Sequence, residues 1–107
     1  MGEPRITASV LKVLAGLLAE PGGAQRYGLE LMQQTGLPSG TLYPILARFE
    51  RAGWVESSWE RIDPAAEGRP SRRYYVLTPE GAAVAQREVA LMRRQMAPGP
   101  VGRVREA

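Results

Sequence analysis

The segment from Gly36 to Val55 carries the most unusual set of side chains in the chain. Its apolar residues recur at the spacing of one helical face, and they are Leu42, Ile45, Leu46 and Phe49. The opposite face holds small residues, one ring, one proline and two arginines, and these are Gly40, Tyr43, Pro44, Ala47, Arg48 and Arg51. This face lacks the mixture of Glu and Lys that is usual on a solvated helix surface. It could lie close to an anionic, grooved partner, as a helix in the major groove of DNA must.

The residue types that most often carry catalysis or hold metals are scarce. The chain has no Cys and no His, which excludes thiol nucleophiles, thiolate metal sites, disulfides and imidazole bases. Its single Lys, Lys12, falls inside a helical pattern. No two carboxylates share an apolar setting that would raise the pKa of one of them. We therefore expect no catalytic site, no metal site and no cofactor.

The composition is that of a single globular domain. The chain has 107 residues, of which 44% are hydrophobic and 23% charged, so a wholly disordered chain is excluded. The formal net charge is +3, and all but one of the basic residues are arginines, which suit phosphate and guanine but argue only weakly for nucleic acid. The sequence has no signal peptide, and no apolar run approaches the ~20 residues of a membrane span. We expect a cytoplasmic protein that does not contact a membrane.

A first helix is predicted from Thr7, which can cap it, to about Glu20, where the Pro-Gly-Gly sequence at 21–23 ends it. Leu11 and Leu18 widen its apolar stripe on one flank. An apolar arc this broad indicates a helix that is covered on two sides, by its own domain and by a partner.

A short second helix is predicted from about Arg26 to Thr35. It contains Gly28, which we interpret as a point of close packing between two helices, because Gly is costly in an exposed helix. The residues at 36–38, Gly-Leu-Pro, then form a tight link to the segment described first. Helix, short turn with Gly and second helix together make a helix-turn-helix pattern.

The start of the third helix has two possible caps. If Ser39 is the cap, Pro44 lies just past the first turn and removes the backbone hydrogen bond to Gly40. If Thr41 is the cap, Pro44 falls in the first turn, where the missing N–H costs little. Gly53 can end the helix in a left-handed turn.

A β-hairpin is predicted after Gly53. Its first strand shows alternation, with Val55, Ser57 and Trp59 on one side. Its second strand spans residues 72–77, and the loop at 62–71 is expected to be long and mobile. Three arginines and no acid lie on the distal side of this loop, and they are Arg69, Arg72 and Arg73. A basic hairpin directly after the third helix is the wing of a winged helix, whereas the loop by itself would be a solvated surface.

The two tryptophans flank this hairpin differently. Trp54 is expected in the core or at the hinge of the wing. Trp59 either packs on the hairpin or lies near the DNA, and the sequence leaves both options open.

A final helix is predicted to begin at Thr78, with Pro79 in its first position and an acid in its first turn. It extends to about Met96. One apolar stripe has the spacing of a helix pair, and it consists of Ala82, Ala85, Val89, Met92 and Met96. Val84 and Leu91 lie on another side. A helix that is apolar on two sides favours a twofold dimer, and the alternative is that a single chain covers both sides.

The ordered motifs between Ile6 and Met96 resemble those of the PadR family of winged-helix transcriptional regulators. The motifs are Tyr27-Gly28, Gly40-Thr41-Leu42-Tyr43-Pro44-Ile45-Leu46, Glu50, Gly53, Gly68-Arg69-Pro70, Arg73-Tyr74-Tyr75, Leu77-Thr78 and Gly81. The short C-terminal part resembles the small subfamily, which has a single dimerisation helix.

The resemblance implies a homodimeric repressor that binds a partly palindromic operator and is released by a small-molecule effector or another signal. It implies that the helix with Tyr43 and Pro44 enters the major groove and that the wing arginines approach phosphates or the minor groove. It also implies that the first and last helices form the dimer interface.

The sequence therefore predicts a mostly α-helical fold with a small β-hairpin wing. The winged helix-turn-helix is expected over residues 6–78, a C-terminal dimerisation helix over 79–97, and flexible tails at 1–5 and 98–107. The expected partners are double-stranded DNA, a second copy of the chain and a small apolar effector. The predicted DNA contacts are Ser39, Gly40, Thr41, Tyr43, Pro44, Ala47, Arg48, Arg51, Arg69, Arg72 and Arg73. The predicted dimer contacts are Leu11, Leu18, Ala85, Val89, Met92 and Met96.

Two other functions are compatible with the same fold. The domain could bind proteins rather than DNA, which an exposed apolar patch on the third helix would favour. It could also be chiefly a sensor of small molecules, which a spacious cavity at the dimer centre would support.

Overall fold

Five helices and three short strands make up the described part of the chain, residues 3–19 and 25–96 of a computed structural model. In chain order they are α1 Ala8–Leu18, β1 Arg26–Tyr27, α2 Gly28–Thr35, α3 Ser39–Arg51, β2 Val55–Trp59, α4 Pro64–Glu67, β3 Arg73–Leu77 and α5 Pro79–Met96. The predicted stop of the first helix at 20–23 and the predicted tail at 98–107 lie outside the described residues. The architecture is mostly helical with a small sheet, as the sequence predicts.

The first helix begins where its cap places it. The Thr7 hydroxyl accepts a hydrogen bond from the Val10 N–H at 3.1 Å, which satisfies one of the free donors of the first turn. The stripe that α1 buries in the core consists of Val10, Val13, Leu14 and Leu17. Leu11 and Leu18, on the flank, are only half-buried.

The sheet has the strand order β1-β3-β2, and all its pairs are antiparallel. The hairpin of β2 and β3 confirms the predicted wing, with Val55 opposite Leu77 and Trp59 opposite Arg73. The third strand, β1, was not predicted, and α2 accordingly begins two residues later than expected. Two residues are too few to show an alternating pattern, so only the pairing with β3 defines this strand.

Tyr27 ends β1 and starts α2. Its N–H donates to the Glu30 carboxylate at 3.0 Å, the reciprocal bond of a capping box. Its ring meets the ring of Tyr74 edge-on, with centroids 5.8 Å apart. These contacts explain why the chain is extended at Tyr27 and helical from Gly28 onward.

The third helix begins at Ser39, but neither Ser39 nor Thr41 caps it. The residue in the cap position is Pro38, and no side chain closes the first turn. Pro44 therefore lies inside the helix, past its first turn, and it cannot donate to the carbonyl of Gly40. The helix survives because its inner face is fully buried, with Leu42, Ile45, Leu46 and Phe49 at most 2% exposed.

Gly53 ends α3 with a φ of 79°, the left-handed turn that the sequence predicts. The N–H of the next residue, Trp54, donates to the carbonyl of Phe49 at 2.9 Å. The Trp54 ring packs on the Phe49 ring with centroids 5.3 Å apart and is buried. Of the two options for Trp54, the core is thus correct.

Thr78 links the end of α3 to the start of α5. Its hydroxyl donates to the Gly53 carbonyl at 2.6 Å and accepts from the Gly81 N–H at 3.0 Å. Gly81 lies directly on the backbone of Trp54, where a Cβ would come within 2.8 Å of its Cα. The last helix therefore starts against the core.

The burial of α5 corrects part of the predicted dimer interface. Ala85 is 0% exposed and Val89 is 3% exposed within a single chain, so their side chains have no surface left for a partner. Contacts within one chain therefore cover this inner side of the helix. Met92 is half-buried, and Leu91 and Met96 are exposed. Among the described helices, none is long and apolar enough to span a membrane.

Candidate nucleic-acid interface

The outward face of α3 is open along its length. Tyr43 is 42% exposed, and Thr41 is half-buried. The other predicted contacts on this helix are exposed, and they are Ser39, Gly40, Pro44, Ala47, Arg48 and Arg51. A Cβ built on Gly40 would meet no atom within 4 Å. The structure thus brings all the predicted contacts of α3 together on one accessible surface.

The ring of Tyr43 leans on the first turn of α2. A Cβ built on Gly28 would lie 2.7 Å from the ring carbon Cζ and 2.9 Å from Cε1, and it would also overlap the hydroxyl. The predicted close packing of two helices at Gly28 is confirmed, and its partner is the most exposed ring of α3. The missing side chain at Gly28 therefore decides where Tyr43 lies.

Arg48 and Arg51 carry charges that no acid in the described part of the chain neutralises. Neither guanidinium forms an ion pair or a side-chain hydrogen bond with residues 3–19 or 25–96. Glu50, which lies between them in sequence, approaches Arg73 of the wing at 3.7 Å instead. The positive potential of α3 is therefore available to an external anion.

The wing arginines, in contrast, have partners within the chain, and the first of them is Arg69. Its guanidinium binds both carboxylate oxygens of Glu60, at 2.7 and 3.0 Å. The same carboxylate accepts the backbone N–H of Arg72 at 3.2 Å. The hydrogen bond from Arg69 is the main reason that the pKa of Glu60 is lowered from 4.5 to about 2, and it raises the pKa of Arg69. The segment 68–73 has three arginines and no acid, but Glu60 lies across the hairpin from them and supplies the acidic partner.

Arg72 and Arg73 also have partners within the chain. The guanidinium of Arg72 lies 4.5 Å from the centre of the Tyr27 ring, and that of Arg73 lies 5.0 Å from the centre of the Trp59 ring. Arg73 also donates to the Ser57 hydroxyl at 2.7 Å. Cation–π contacts of this length stabilise the position of a guanidinium. Trp59 packs on the hairpin through Arg73, although 60% of its surface is exposed.

The loop of the wing contains a short helix where the sequence predicts only irregular chain. Asp63 caps α4 by accepting the Ala65 N–H at 3.1 Å, and Gly68 ends it with a φ of 70°. The loop therefore has local structure at the point where it delivers Arg69 to Glu60.

The predicted contacts leave out four residues that organise this surface: Tyr27, Glu50, Ser57 and Glu60. For Glu60 a signal exists. The β2–β3 register places Trp59 opposite Arg73, and continuing it by one residue places Glu60 beside Arg72. The contacts of Tyr27, Glu50 and Ser57 depend on which elements pack together in the fold, and local sequence patterns do not reveal this.

Comparison with known proteins gives a family match. The model of the transcriptional regulator PadR-like family matches residues 16–87, more than half of the chain, from within α1 to the middle of α5. This range includes the complete helix-turn-helix and the wing. None of the curated proteins that were compared with the chain matches it significantly.

Three solved structures illustrate the fold. Overoxidised AbfR bound to DNA is 27% identical, with 94% of this chain and 67% of that chain covered and a TM-score of 0.64. A PadR family transcription regulator from Clostridium difficile R20291 is 23% identical, with 84% and 95% covered and a TM-score of 0.61. Bordetella bronchiseptica BpsR, whose DNA binding is regulated by 6-hydroxynicotinic acid, is 20% identical, with 97% and 76% covered and a TM-score of 0.68. The last two show the winged-helix fold alone.

Proposed function

The chain belongs to the PadR-like family of transcriptional regulators, and on that basis we propose that it is a homodimeric repressor that reads a partly palindromic operator through α3. The observation that carries this proposal is the outward face of α3, which is exposed and holds two arginines that form no ion pair with residues 3–19 or 25–96. Anionic DNA supplies the partner that these arginines lack.

The contacts of α3 divide into two groups. Tyr43, Pro44, Ala47 and Arg48 lie along the exposed face and would meet base edges in the major groove, where a guanidinium recognises guanine. Ser39, Thr41 and Arg51 lie toward the flanks and ends of the helix and would contact the sugar-phosphate backbone. Gly40 would allow close approach, because it presents no side chain. The first group would discriminate between sequences, and the second would set register and affinity.

The wing would contribute less than its arginine content suggests. Arg69, Arg72 and Arg73 would still face phosphates, but each must leave or share an internal partner to bind one. Arg69 is the most constrained, because its bidentate pair with Glu60 uses both terminal nitrogens. We therefore assign most of the electrostatic affinity to Arg48 and Arg51.

The dimer would use surfaces that one chain leaves open. On α5 these are Leu91, Met92 and Met96, and on α1 they are the half-buried Leu11 and Leu18. A twofold arrangement would place the two copies of α3 at a constant distance, which matches the two halves of a palindromic site. DNA-bound AbfR, a relative of similar fold at 27% identity, supports the DNA part of this proposal. We further propose that a small-molecule effector releases the dimer from the operator.

A protein-binding role receives little support from the same face. Among the described residues of α3, the exposed large hydrophobic side chain is Tyr43, and the residues around it are small or cationic. Protein interfaces usually have a buried apolar centre, which this surface does not offer.

The test is selection of bound duplexes from random DNA, followed by measurement of the size of the complex. We expect two half-sites with centres about one helical turn, ~10 base pairs, apart, bound by two copies of the chain. Binding of a single copy to an asymmetric site would exclude the proposed dimer. If no duplex binds at low salt, the whole proposal fails.

A further inference from the structure

A cavity of about 660 Å³ lies between the N-terminal segment and the C-terminal half of α3. Its volume is in the range of pockets that hold small organic ligands, ~300–1,000 Å³. The predicted loose tail contributes to it, since Glu3, Pro4 and Arg5 form one wall. The described part of this tail therefore lies beside the helix that we propose to read DNA.

The lining of this cavity combines an apolar surface with a cluster of cations. Pro4, Val10 and Ala52 supply apolar contacts. Three arginines also line it, Arg5, Arg48 and Arg51, with Glu3 as the single acidic residue. Arg48 and Arg51 are three residues apart on one helix, which places their side chains on the same side. The net charge of the lining is positive and is not balanced from within the described chain.

We propose that this cavity binds an organic anion with an apolar body, which places its carboxylate, sulfonate or phosphate group between the arginines. A guanidinium binds such groups through two parallel, charge-assisted hydrogen bonds. The apolar body of the ligand would cover Val10 and Ala52, whose burial favours binding. A neutral apolar effector, as the sequence predicts, would leave the arginines of this lining without a partner in the ligand.

If α3 binds DNA as proposed above, a ligand in this cavity would compete with the duplex. Arg48 and Arg51 are the two arginines of α3 that we assign to DNA, Arg48 to base edges and Arg51 to the sugar-phosphate backbone. A guanidinium that binds the ligand cannot bind DNA in full at the same time. The anion and the duplex therefore compete, and each lowers the affinity of the other by the same factor.

The site itself is tested without DNA, using the full chain and anilinonaphthalene sulfonate, an aryl sulfonate that fluoresces when bound. The neutral analogue N-phenylnaphthylamine serves as the matched probe. We expect one saturable site per chain and binding of the neutral analogue that is weaker by about tenfold, the factor expected for loss of a charge-assisted hydrogen bond. Equal binding of the two probes would overturn the proposal.

Two pairs of variants localise the bound dye. Arg5→Gln removes a cation from the cavity, and Arg61→Gln removes one from an exposed position outside it. Ala52→Phe fills the cavity, and Ala66→Phe adds the same ring to the exposed surface of α4. Arg5→Gln and Ala52→Phe should each weaken binding about tenfold, with circular dichroism unchanged, whereas the controls should not. The proposed site would be wrong if a control variant lost dye binding as well, or if neither variant of a pair lost it.

The competition is tested by adding the dye to the chain bound to a fluorescent duplex. We expect saturating dye to weaken DNA binding, and Ala52→Phe to abolish this effect. Simultaneous binding without mutual effect would overturn the competition. A chain that binds the dye as described but binds no duplex would disprove the proposed function and leave the site in place. A second copy of the chain in the cavity would appear as dye binding only on dilution to the monomer, which would exclude the small-molecule site.

Discussion

The outward face of α3 and the wing contain the same charged group in opposite surroundings. On α3, Arg48 and Arg51 form no ion pair with any acid in the described part of the chain. On the wing, Arg69 is paired with Glu60 and Arg73 approaches Glu50. The number of arginines on a surface therefore does not measure the positive charge that it offers. The neighbours that folding brings beside each guanidinium decide this.

The difference also separates the roles of the two regions. Arg73 contacts Glu50 of α3 and donates to Ser57 of β2, and Ser57 donates to Glu50 at 2.8 Å. These three residues connect the third helix to the wing. Arg73 of the wing thus holds the hairpin against the helix, whereas the arginines of α3 form no ion pair within the described part of the chain.

The largest expected change in DNA affinity distinguishes two double variants, one on α3 and one on the wing. Arg48→Gln/Arg51→Gln should reduce affinity for the operator by about 50- to 100-fold at ~0.1 M salt, because the base contact of Arg48 and the phosphate contact of Arg51 are both lost. The slope of log K against log salt should fall by about 1 per chain for the lost phosphate contact. Arg72→Gln/Arg73→Gln removes the same charge from the wing and should lower the slope by less than about 1. The measurement is a salt titration of duplex binding for both proteins. Equal losses in the two variants would remove the distinction between the regions.

The next largest effect concerns the Tyr43 ring on the outward face of α3, which Gly28 allows to lie against α2. Gly28→Ala would push its Cβ into the Tyr43 ring and should reduce discrimination between operator and random duplex by about tenfold, the value of one base contact. The double variant Gly28→Ala/Tyr43→Ala should discriminate no worse than Tyr43→Ala alone, because no ring remains to be displaced. Additive losses would mean that Gly28 acts independently of Tyr43. Thermal melting of Gly28→Ala and of Gly28→Ala/Tyr43→Ala, measured beside the natural chain, separates this effect from a general loss of folding.

A smaller change, an increase in DNA affinity, is expected when Arg69 of the wing loses its acidic partner. Glu60→Gln removes the partner of Arg69 and should raise affinity for random duplex several-fold, with a slope steeper by up to about 0.9 for one new phosphate contact. Glu56→Gln is the matched control, since Glu56 is exposed on the same strand. If both variants raise affinity equally, the gain comes from net charge alone and Arg69 is not restrained by Glu60.

The smallest effect concerns stability against pH. The pKa of Glu60 is lowered from 4.5 to about 2 by its hydrogen bond with Arg69, so the folded state binds this proton less readily than the unfolded chain. The resulting stabilisation is present above about pH 5 and is lost as the pH falls toward 2. The melting temperature of the natural chain should therefore exceed that of Glu60→Gln at pH 7, and the gap should close in acid. A gap that stays constant between pH 7 and pH 3 would contradict this account.

Local patterns predicted the elements that local chemistry controls. The cap at Thr7, the left-handed turn at Gly53 and the start of α5 after Thr78 were each identified correctly. The inner face of α3 was also identified, because a helix that buries one side repeats its apolar residues every three or four positions. At Ser39 the same reasoning was wrong, since a residue that is able to cap a helix does so only where the chain enters with suitable geometry, and here Pro38 occupies that position.

The spatial neighbours of each side chain were outside the reach of sequence patterns. Ala85 and Val89 have the spacing of a helix pair, but burial in the core of the same chain produces that spacing equally well. The apolar stripe of α5 therefore could not reveal which surface covers it. The two-residue strand β1 was missed for a similar reason, because only its partner β3 makes it a strand.

The sequence by itself determined a winged helix with a small, cationic outward face on its third helix, because helical periodicity, caps and turns depend on residues close together in the chain. Only the tertiary structure decided which arginines are paired within the described part of the chain and which ring rests on Gly28. Those outcomes depend on contacts such as Arg69 with Glu60 and Tyr43 with Gly28. Each contact joins residues at least nine positions apart, and the packing of whole elements brings them together.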